Sequence, residues 1–394
     1  MTVAPRALAW AALALLAPVA AFADPVNVAD MVDALQRIQL KIAQGDRAAY
    51  TAQLNQLKMI GAAIAAVPPE AWKDRREADS LVIYILSGGS LADVATLLKG
   101  DVVVESERPL ALGAIAYVTN HEADAIALLG KLDLNALDAH LAGEVAFARS
   151  VLETKRDVKA AIALLDWARL LQPGGLVEEA ALRREIALVA EAKDAGRAAM
   201  LIRQYATRFA ASLYAADFFR DLAAAIARFG LADDPDNYKL VSRAVAALPP
   251  GARRDFLLAL AERAVVEGRF AAAAAAATEA LEGAGADSVE ATRGRLYLAA
   301  SRMFSDAYDA AAADLRTIPA AKLDRADAGL LAAVRRVASE LRIVPETGFV
   351  NSSGAALDGG DKDKATGPAL TIERARDGLE RTAGLVHVEG GGPR

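Results

Sequence analysis
Residues 157–222 read DVKAAIALLDWARLLQPGGLVEEAALRREIALVAEAKDAGRAAMLIRQYATRFAASLYAADFFRDL. Three amphipathic helices follow one another here with almost nothing between them. Asp157 is a good N-cap, because its short carboxylate can accept from the free N–H groups of a first helical turn. The first helix runs from it to Leu171. Ile162, Leu164, Leu165 and Ala168 form its apolar stripe, extended by Trp167 and Leu171. Pro173-Gly174-Gly175 stops it, since Pro cannot continue the ladder and Gly tolerates the turn. The second helix starts near Val177, and Leu182, Ile186 and Val189 share one face at spacings of four and three. Glu179 stands four before Arg183 on the other side, which predicts a solvated ion pair. A third helix begins at Asp194 and carries Leu201, Ile202 and Tyr205. No such stripe can be buried alone. Each helix needs the next, which is the physical basis of a solenoid.

Working outward, the pattern recurs. Ala-Ile-Ala-Leu-Leu occurs at Ala125–Leu129 and again at Ala161–Leu165, 36 residues on. Similar steps reach Asp194, Asp233-Asp234-Pro235, Gly268-Arg269-Phe270 and Ser305-Asp306-Ala307-Tyr308. A small turn, a capping polar residue and an Ala-rich helix come each time. The period of about 37 is slightly longer than the 34 of tetratricopeptide repeats, and their Trp, Gly-Tyr and Pro positions are not met. The expectation is an all-α protein, a right-handed α-solenoid of TPR-like helical pairs over residues 90–344. Residues 24–89 form N-terminal pairs ahead of it. Val28 to Ala43 carries Met31, Leu35, Ile38 and Ile42 in register, and Arg47 to Val67 turns Tyr50, Leu54, Leu57 and Ile64 inward. Leu81 to Leu86 is β-branched enough to suggest a strand, but Gly88-Gly89-Ser90 reads as a C-cap followed by a new N-cap, so a buried helix end is expected.

The composition agrees. Hydrophobic residues are 54% of the 394, largely Ala, and aromatics only 5%. Ala favours helices and fills little core, so many close-packed helices are favoured over a few large layers. The net charge is −6 and the pI about 5.4. No basic stripe is present to neutralise phosphates, which argues against nucleic-acid binding. The chain has no Cys, which excludes disulfides, thiolate metal sites and Cys nucleophiles.

At the N-terminus, Arg6 makes a positive n-region, Ala7 to Leu16 a short apolar segment, and Ala21-Phe22-Ala23 a small-x-small site before Asp24. The apolar run is shorter than the ~20 residues a span needs. Residues 1–23 therefore read as a signal peptide cut between Ala23 and Asp24, leaving a periplasmic or secreted chain without membrane insertion. No Cys follows the cut, so no lipoprotein is expected. Residues 345–394 change character. Asn351-Ser352-Ser353-Gly354 and Asp358-Gly359-Gly360-Asp361 carry little apolar weight and read as a flexible linker, with a short helix from Leu370 to Leu385.

Chemistry is sparse. Of the three His, His121 lies in a repeat turn, His387 in the tail, and His121-Glu122 lacks the second His of a zinc peptidase. There is no nucleophile elbow, P-loop or dinucleotide fingerprint, so no catalytic residue, cofactor or metal is expected. Glu178-Glu179 could serve as an acid/base pair, but reads better as first-turn acids complementing a helix N-terminus. Arg183-Arg184 and Arg253-Arg254 read as solvated helix faces. Tyr205, Phe209, Tyr214, Phe218 and Phe219 are dense for so aromatic-poor a chain. Tyr205 and Phe209 share the inward face of Ile202, and Tyr214 and Phe218 share a stripe with Leu222. Phe219 points about 100° from Phe218 and is the candidate partner contact.

Three stretches carry a resemblance. They are Ala71-Trp72-Lys73-Asp74 leading to Tyr84-Ile85-Leu86-Ser87-Gly88-Gly89, then Leu165-Asp166-Trp167-Ala168-Arg169-Leu170-Leu171 leading to Glu178-Glu179-Ala180-Ala181-Leu182-Arg183-Arg184-Glu185, and finally Gln204-Tyr205-Ala206-Thr207-Arg208-Phe209 leading to Ser212-Leu213-Tyr214. Together the chain resembles the MotC family of periplasmic motility proteins of rhizobial-type flagellar systems, up to about residue 340. It departs from the family pattern at Ala211 and at Ser90-Leu91. The resemblance implies a non-enzymatic accessory required for flagellar rotation. It implies binding to the periplasmic region of the stator protein MotB and association with a periplasmic chaperone, MotE. The alternative from the residues alone is a periplasmic repeat scaffold that binds peptidoglycan or a cell-wall enzyme. Neither reading uses the tail for folding, because its composition cannot repay the entropy of ordering. Truncation at Pro345 is expected to leave the melting temperature within a few degrees of the full chain in a thermal melt.

Overall fold
Asn27, Asp46, Asp74, Asp138, Asp157, Asp194, Asp234 and Ser288 each turn a side-chain oxygen onto a backbone N–H of the helix that follows. These caps punctuate a computed structural model that describes residues 27–99 and 107–341. Seventeen α-helices and no strand occur among the described residues. In chain order they are α1 Val28–Ala43, α2 Arg47–Ala66, α3 Arg75–Leu86, α4 Leu91–Lys99, α5 Arg108–Val118 and α6 Glu122–Leu129. Next come α7 Ala139–Glu153, α8 Val158–Leu171, α9 Leu176–Glu191, α10 Ala195–Arg208, α11 Ala215–Phe229 and α12 Pro235–Val245. The last are α13 Pro250–Val266, α14 Phe270–Leu281, α15 Val289–Arg302, α16 Tyr308–Thr317 and α17 Arg325–Leu341. The all-α expectation holds, and α1 has the predicted bounds. Helices α10, α12, α14 and α16 start where the repeat pattern places helix starts, and the two copies of the pentapeptide lie inside α6 and α8. Leu81 to Leu86 is helical, and Gly89 N–H closes α3 on the Tyr84 carbonyl. The signal-peptide cut at Ala23 and Asp24 and the linker and tail helix after residue 344 lie outside the described residues.

From α9 onward the helices pack on those next but one in sequence, α9 on α11, α10 on α12, α11 on α13, α12 on α14, α13 on α15 and α15 on α17, together with the consecutive pairs α9–α10, α13–α14, α14–α15, α15–α16 and α16–α17. The N-terminal half is different. Helix α1 packs on α3, α3 on both α5 and α7, α7 on α9, and α9 returns to α1. Four helices thus close a ring where a simple array would have each contact only the next. Gly45 fixes one corner. It has φ +93°, and a Cβ there would lie 2.2 Å from the Ala211 carbonyl oxygen, so only Gly lets the α1–α2 turn seat against the α10–α11 loop. The apolar core has two parts that meet in α9. Val177, Ala181 and Leu188 belong to the N-terminal cluster, and Leu182, Ile186 and Val189 to the C-terminal one. The N-terminal pairs of residues 24–89 share their core with α5–α8.

Three side-chain expectations are corrected. Tyr50 and Leu54 are each 46% exposed, because α2 is buried along its second half, at Ile60, Ala63 and Ile64, where α1 and α4 cover it. Trp167 is partly exposed on the outer side of α8 and does not extend the stripe of Leu165 and Ala168. Phe219 is in the core, 6% exposed, and is no surface contact. The reason is that α11 has packed neighbours on two sides, α9 and α13, so two stripes 100° apart are both inward. Phe218 meets Tyr205 at 4.2 Å between ring centroids, and Phe219 meets Tyr205 at 5.5 Å and Phe256 of α13 at 6.0 Å. The half-buried aromatic of the set is Tyr214, which precedes the helix as its cap. Tyr205 and Phe209 are buried as expected. Phe219→Ala is therefore expected to destabilise the fold by ~3–5 kcal/mol, measured by denaturant unfolding.

Candidate partner-binding groove
Helix α9 carries Glu178, Glu179 and Glu185, all with 0% exposure. The expected solvated pair of Glu179 with Arg183 is absent. Glu179 Oε1 instead accepts from Tyr205 Oη at 2.8 Å and Ser212 Oγ at 2.7 Å. Arg183 stacks its guanidinium over the Tyr214 ring, 5.0 Å from the centroid. Glu178 does sit in the first turn and accepts from the Gly174 N–H, but it also takes Gln204 Nε2 at 2.9 Å and Arg208 Nη1 at 2.7 Å. Glu185 is gripped by Arg169 and by Arg197, whose Nη2 is 2.6 Å away, and both arginines also hold Asp166. A lone buried carboxylate would be strongly disfavoured, and these are compensated by cations and hydroxyl donors from α8, α10 and the α10–α11 loop. The sequence motifs of α8, α9 and α10 are thus the parts of one internal joint.

The same device recurs. Tyr238 and Ser242 of α12 donate to Glu279 of α14 at 2.7 and 2.8 Å, with Arg253 completing the site. Tyr297 donates to buried Asp327, which Arg293 also holds at 2.8 Å. Tyr84 donates to Asp93 and accepts from the Ser90 N–H at 2.9 Å. Trp72, in the first motif, is fully buried. The basic pairs are used likewise: Arg184 donates to Thr154 Oγ1 at 2.9 Å and Arg254 to the Gly283 carbonyl at 3.1 Å. His121 is exposed and faces Thr119 Oγ1 at 2.8 Å. His387 lies outside the described residues. No group of metal-ligating side chains, and no helix long and apolar enough to cross a membrane, occurs among the described residues.

What remains open is a groove of about 1150 Å³ above the ring, between α1, α3, the start of α7 and the α8–α9 turn. Gln36, Arg37 and Leu40 line one wall, Arg75, Arg76 and Asp79 the second, Asp138 and His140 the third, and Gln172, Pro173 and Leu176 the floor and far side. Arg76 bridges α3 to α1 through Asp30 and Asp33, both at 2.8 Å. Arg75 donates to the Ala136 carbonyl at 2.8 Å and stands 3.7 Å from Asp79 and 3.5 Å from Glu107. Mixed charge around a concave apolar floor suits recognition of a polypeptide; it offers no nucleophile with an adjacent base. Sequence reasoning missed the groove because its walls are far apart in the chain and meet only through the closure of α1 on α9. The one local signal was Gly45.

Burial, reinforced by the Glu107 charge and only partly opposed by Arg75, pushes the Asp79 carboxyl up to about 7 from its ordinary 3.8. A carboxyl with a folded pKa above its unfolded one takes up a proton on folding. Its stabilising contribution is therefore full below about pH 4 and lost as the pH rises towards 7. Thermal melts between those limits are expected to show stability falling with pH, with a shallower fall in Asp79→Asn.

Comparison with known proteins follows this geometry. The family model described as "Chemotaxis protein MotC" matches residues 1–387. A chemotaxis protein MotC of Rhizobium meliloti (strain 1021) is 29% identical over 342 residues, covering 83% of this chain and 76% of that protein. No solved structure matches. The chain belongs to the MotC family of chemotaxis proteins.

Proposed function
We propose that the protein is a non-enzymatic periplasmic accessory of the flagellar motor. It acts by binding the periplasmic region of the stator protein MotB in the groove above α1, α3, α7 and the α8–α9 turn, with MotE as a further periplasmic partner. The observation that carries this is the groove itself. It is a large concave surface of mixed apolar and charged lining among the described residues, left after the buried charges have been tied into the helix joints. Its size and mixed rim fit a protein segment better than a small metabolite. The leader read at residues 1–23 supports the compartment. In the same reading α8–α17 belong to a right-handed TPR-like solenoid, supported by helix pairs that begin at Val158, Ala195, Pro235, Phe270 and Tyr308, 35 to 40 residues apart. That stretch serves as a rigid support for the ringed N-terminal half.

Arg37 is exposed on the groove rim, so reversing its charge tests the face without disturbing the fold. Calorimetry with the purified MotB periplasmic region is expected to show Arg37→Glu weakening binding by ~1–3 kcal/mol at unchanged melting temperature, whereas Lys239→Glu at the distant α12 has no effect. A deletion strain is expected to assemble flagella that do not rotate. Binding of muropeptides in place of MotB would overturn the reading in favour of a cell-wall scaffold.

A further inference from the structure
Beside the groove lies a smaller cavity of about 240 Å³ that shares Gln39, Leu176 and Val177 with it. Glu144 of α7 lines this cavity and is 9% exposed. It differs from every other buried glutamate of the central joint. Glu178 and Glu185 have arginines and Glu179 has two hydroxyl donors, whereas Glu144 is in no ion pair and has only the Gln172 side chain to bond. Burial raises its carboxyl to about 7. Arg184, the cation sensed at neighbouring Tyr117, is turned away to Thr154. A second acceptor, Gln53 Oε1, is buried at the cavity without a partner. The rest of the wall is mainly apolar, with Leu86, Phe147, Ala148, Leu176 and Val177, and carries Ser87 and the ring of Tyr117 besides.

A buried carboxylate without a cation and an unpartnered amide oxygen beside an apolar wall complement one kind of group: a head that only donates, on a long hydrocarbon stem. The volume suits a single side chain and not a whole small molecule. We propose that this cavity receives one lysine or arginine side chain of a polypeptide lying in the groove, with Glu144 as its counter-ion and Gln53 Oε1 as a second acceptor. The inference rests on the groove reading only for the identity of the polypeptide that brings the cation.

The test uses the full chain and a defined probe, acetylated and amidated tetralysine, with tetraglutamate as control, by titration calorimetry at pH 7.5. Tetralysine is expected to bind and tetraglutamate not to. Glu144→Gln is expected to weaken tetralysine at least tenfold, and Asp306→Asn, an exposed acid ahead of α16 and outside the groove, less than twofold. Removing an uncompensated buried acid does not harm the fold, so Glu144→Gln and Glu144→Met are both expected to melt at or above the parent temperature. Equal binding of tetralysine by parent and Glu144→Gln, or no binding by the parent, overturns the proposal. Failure of both Glu144 variants to fold also overturns it, because the carboxyl would then be a structural tie. If tetralysine binds through Glu144 while the MotB region does not bind at all, the cavity stands and the groove's assignment to the stator fails.

Discussion
The structure depends on three glutamates buried in one helix. Helix α9 presents Glu178, Glu179 and Glu185 to neighbours on both sides, and each is held by residues from outside α9. Such groups are weak contributors to net stability, because desolvation offsets most of the attraction. Removing one partner, however, costs about 3–5 kcal/mol, since a charge is left buried and unpaired. Their effect is to forbid alternatives. An Ala-rich helix pair can slide or rotate with little loss of apolar burial. It cannot do so when Arg169 and Arg197 must both reach Glu185 and Tyr205 must reach Glu179. The tyrosine–carboxylate ties at Glu279 and Asp327 extend the same control of register to α12 on α14 and α15 on α17.

With α9 held, the N-terminal half can close. The return of α1 to α9 converts a run of helix pairs into a ring, and the ring has a mouth. The groove is a consequence of that closure. It is bounded by the α8–α9 turn, whose Gly174 N–H is held by Glu178, so the joint fixes the turn that lines the groove. The proposed role at the flagellar motor would need a binding face that does not deform, and a face built beside a tied joint meets that need.

The motifs that mark the family therefore mark architecture. Arg169, the glutamates of α9, Tyr205 and Ser212 meet inside the protein, with Asp166 and Arg208 reaching them from its edge. The partner surface has to be sought among groove residues that no motif singles out.

Helix identity and spacing were legible in the sequence alone. Capping Asp residues, Gly and Pro stops and 3.6-residue stripes are local, and they placed α1, α8, α9 and α10 and the later helix starts. Tyr205 and Phe209 were legible as core by the same phase argument. What only the tertiary structure decided was how many neighbours each helix has. Helix α11 lies between α9 and α13, so Phe219 is buried beside Phe218, while α2 is covered along one end, so Tyr50 and Leu54 stay exposed. The buried glutamates escaped for the same reason. A carboxylate four residues before an arginine on a helix looks solvated, and only a hydroxyl or guanidinium arriving from another helix makes its burial possible. Periodicity records that a face is apolar; it carries no information about which distant segment brings the donor, because that pairing is set by long-range packing.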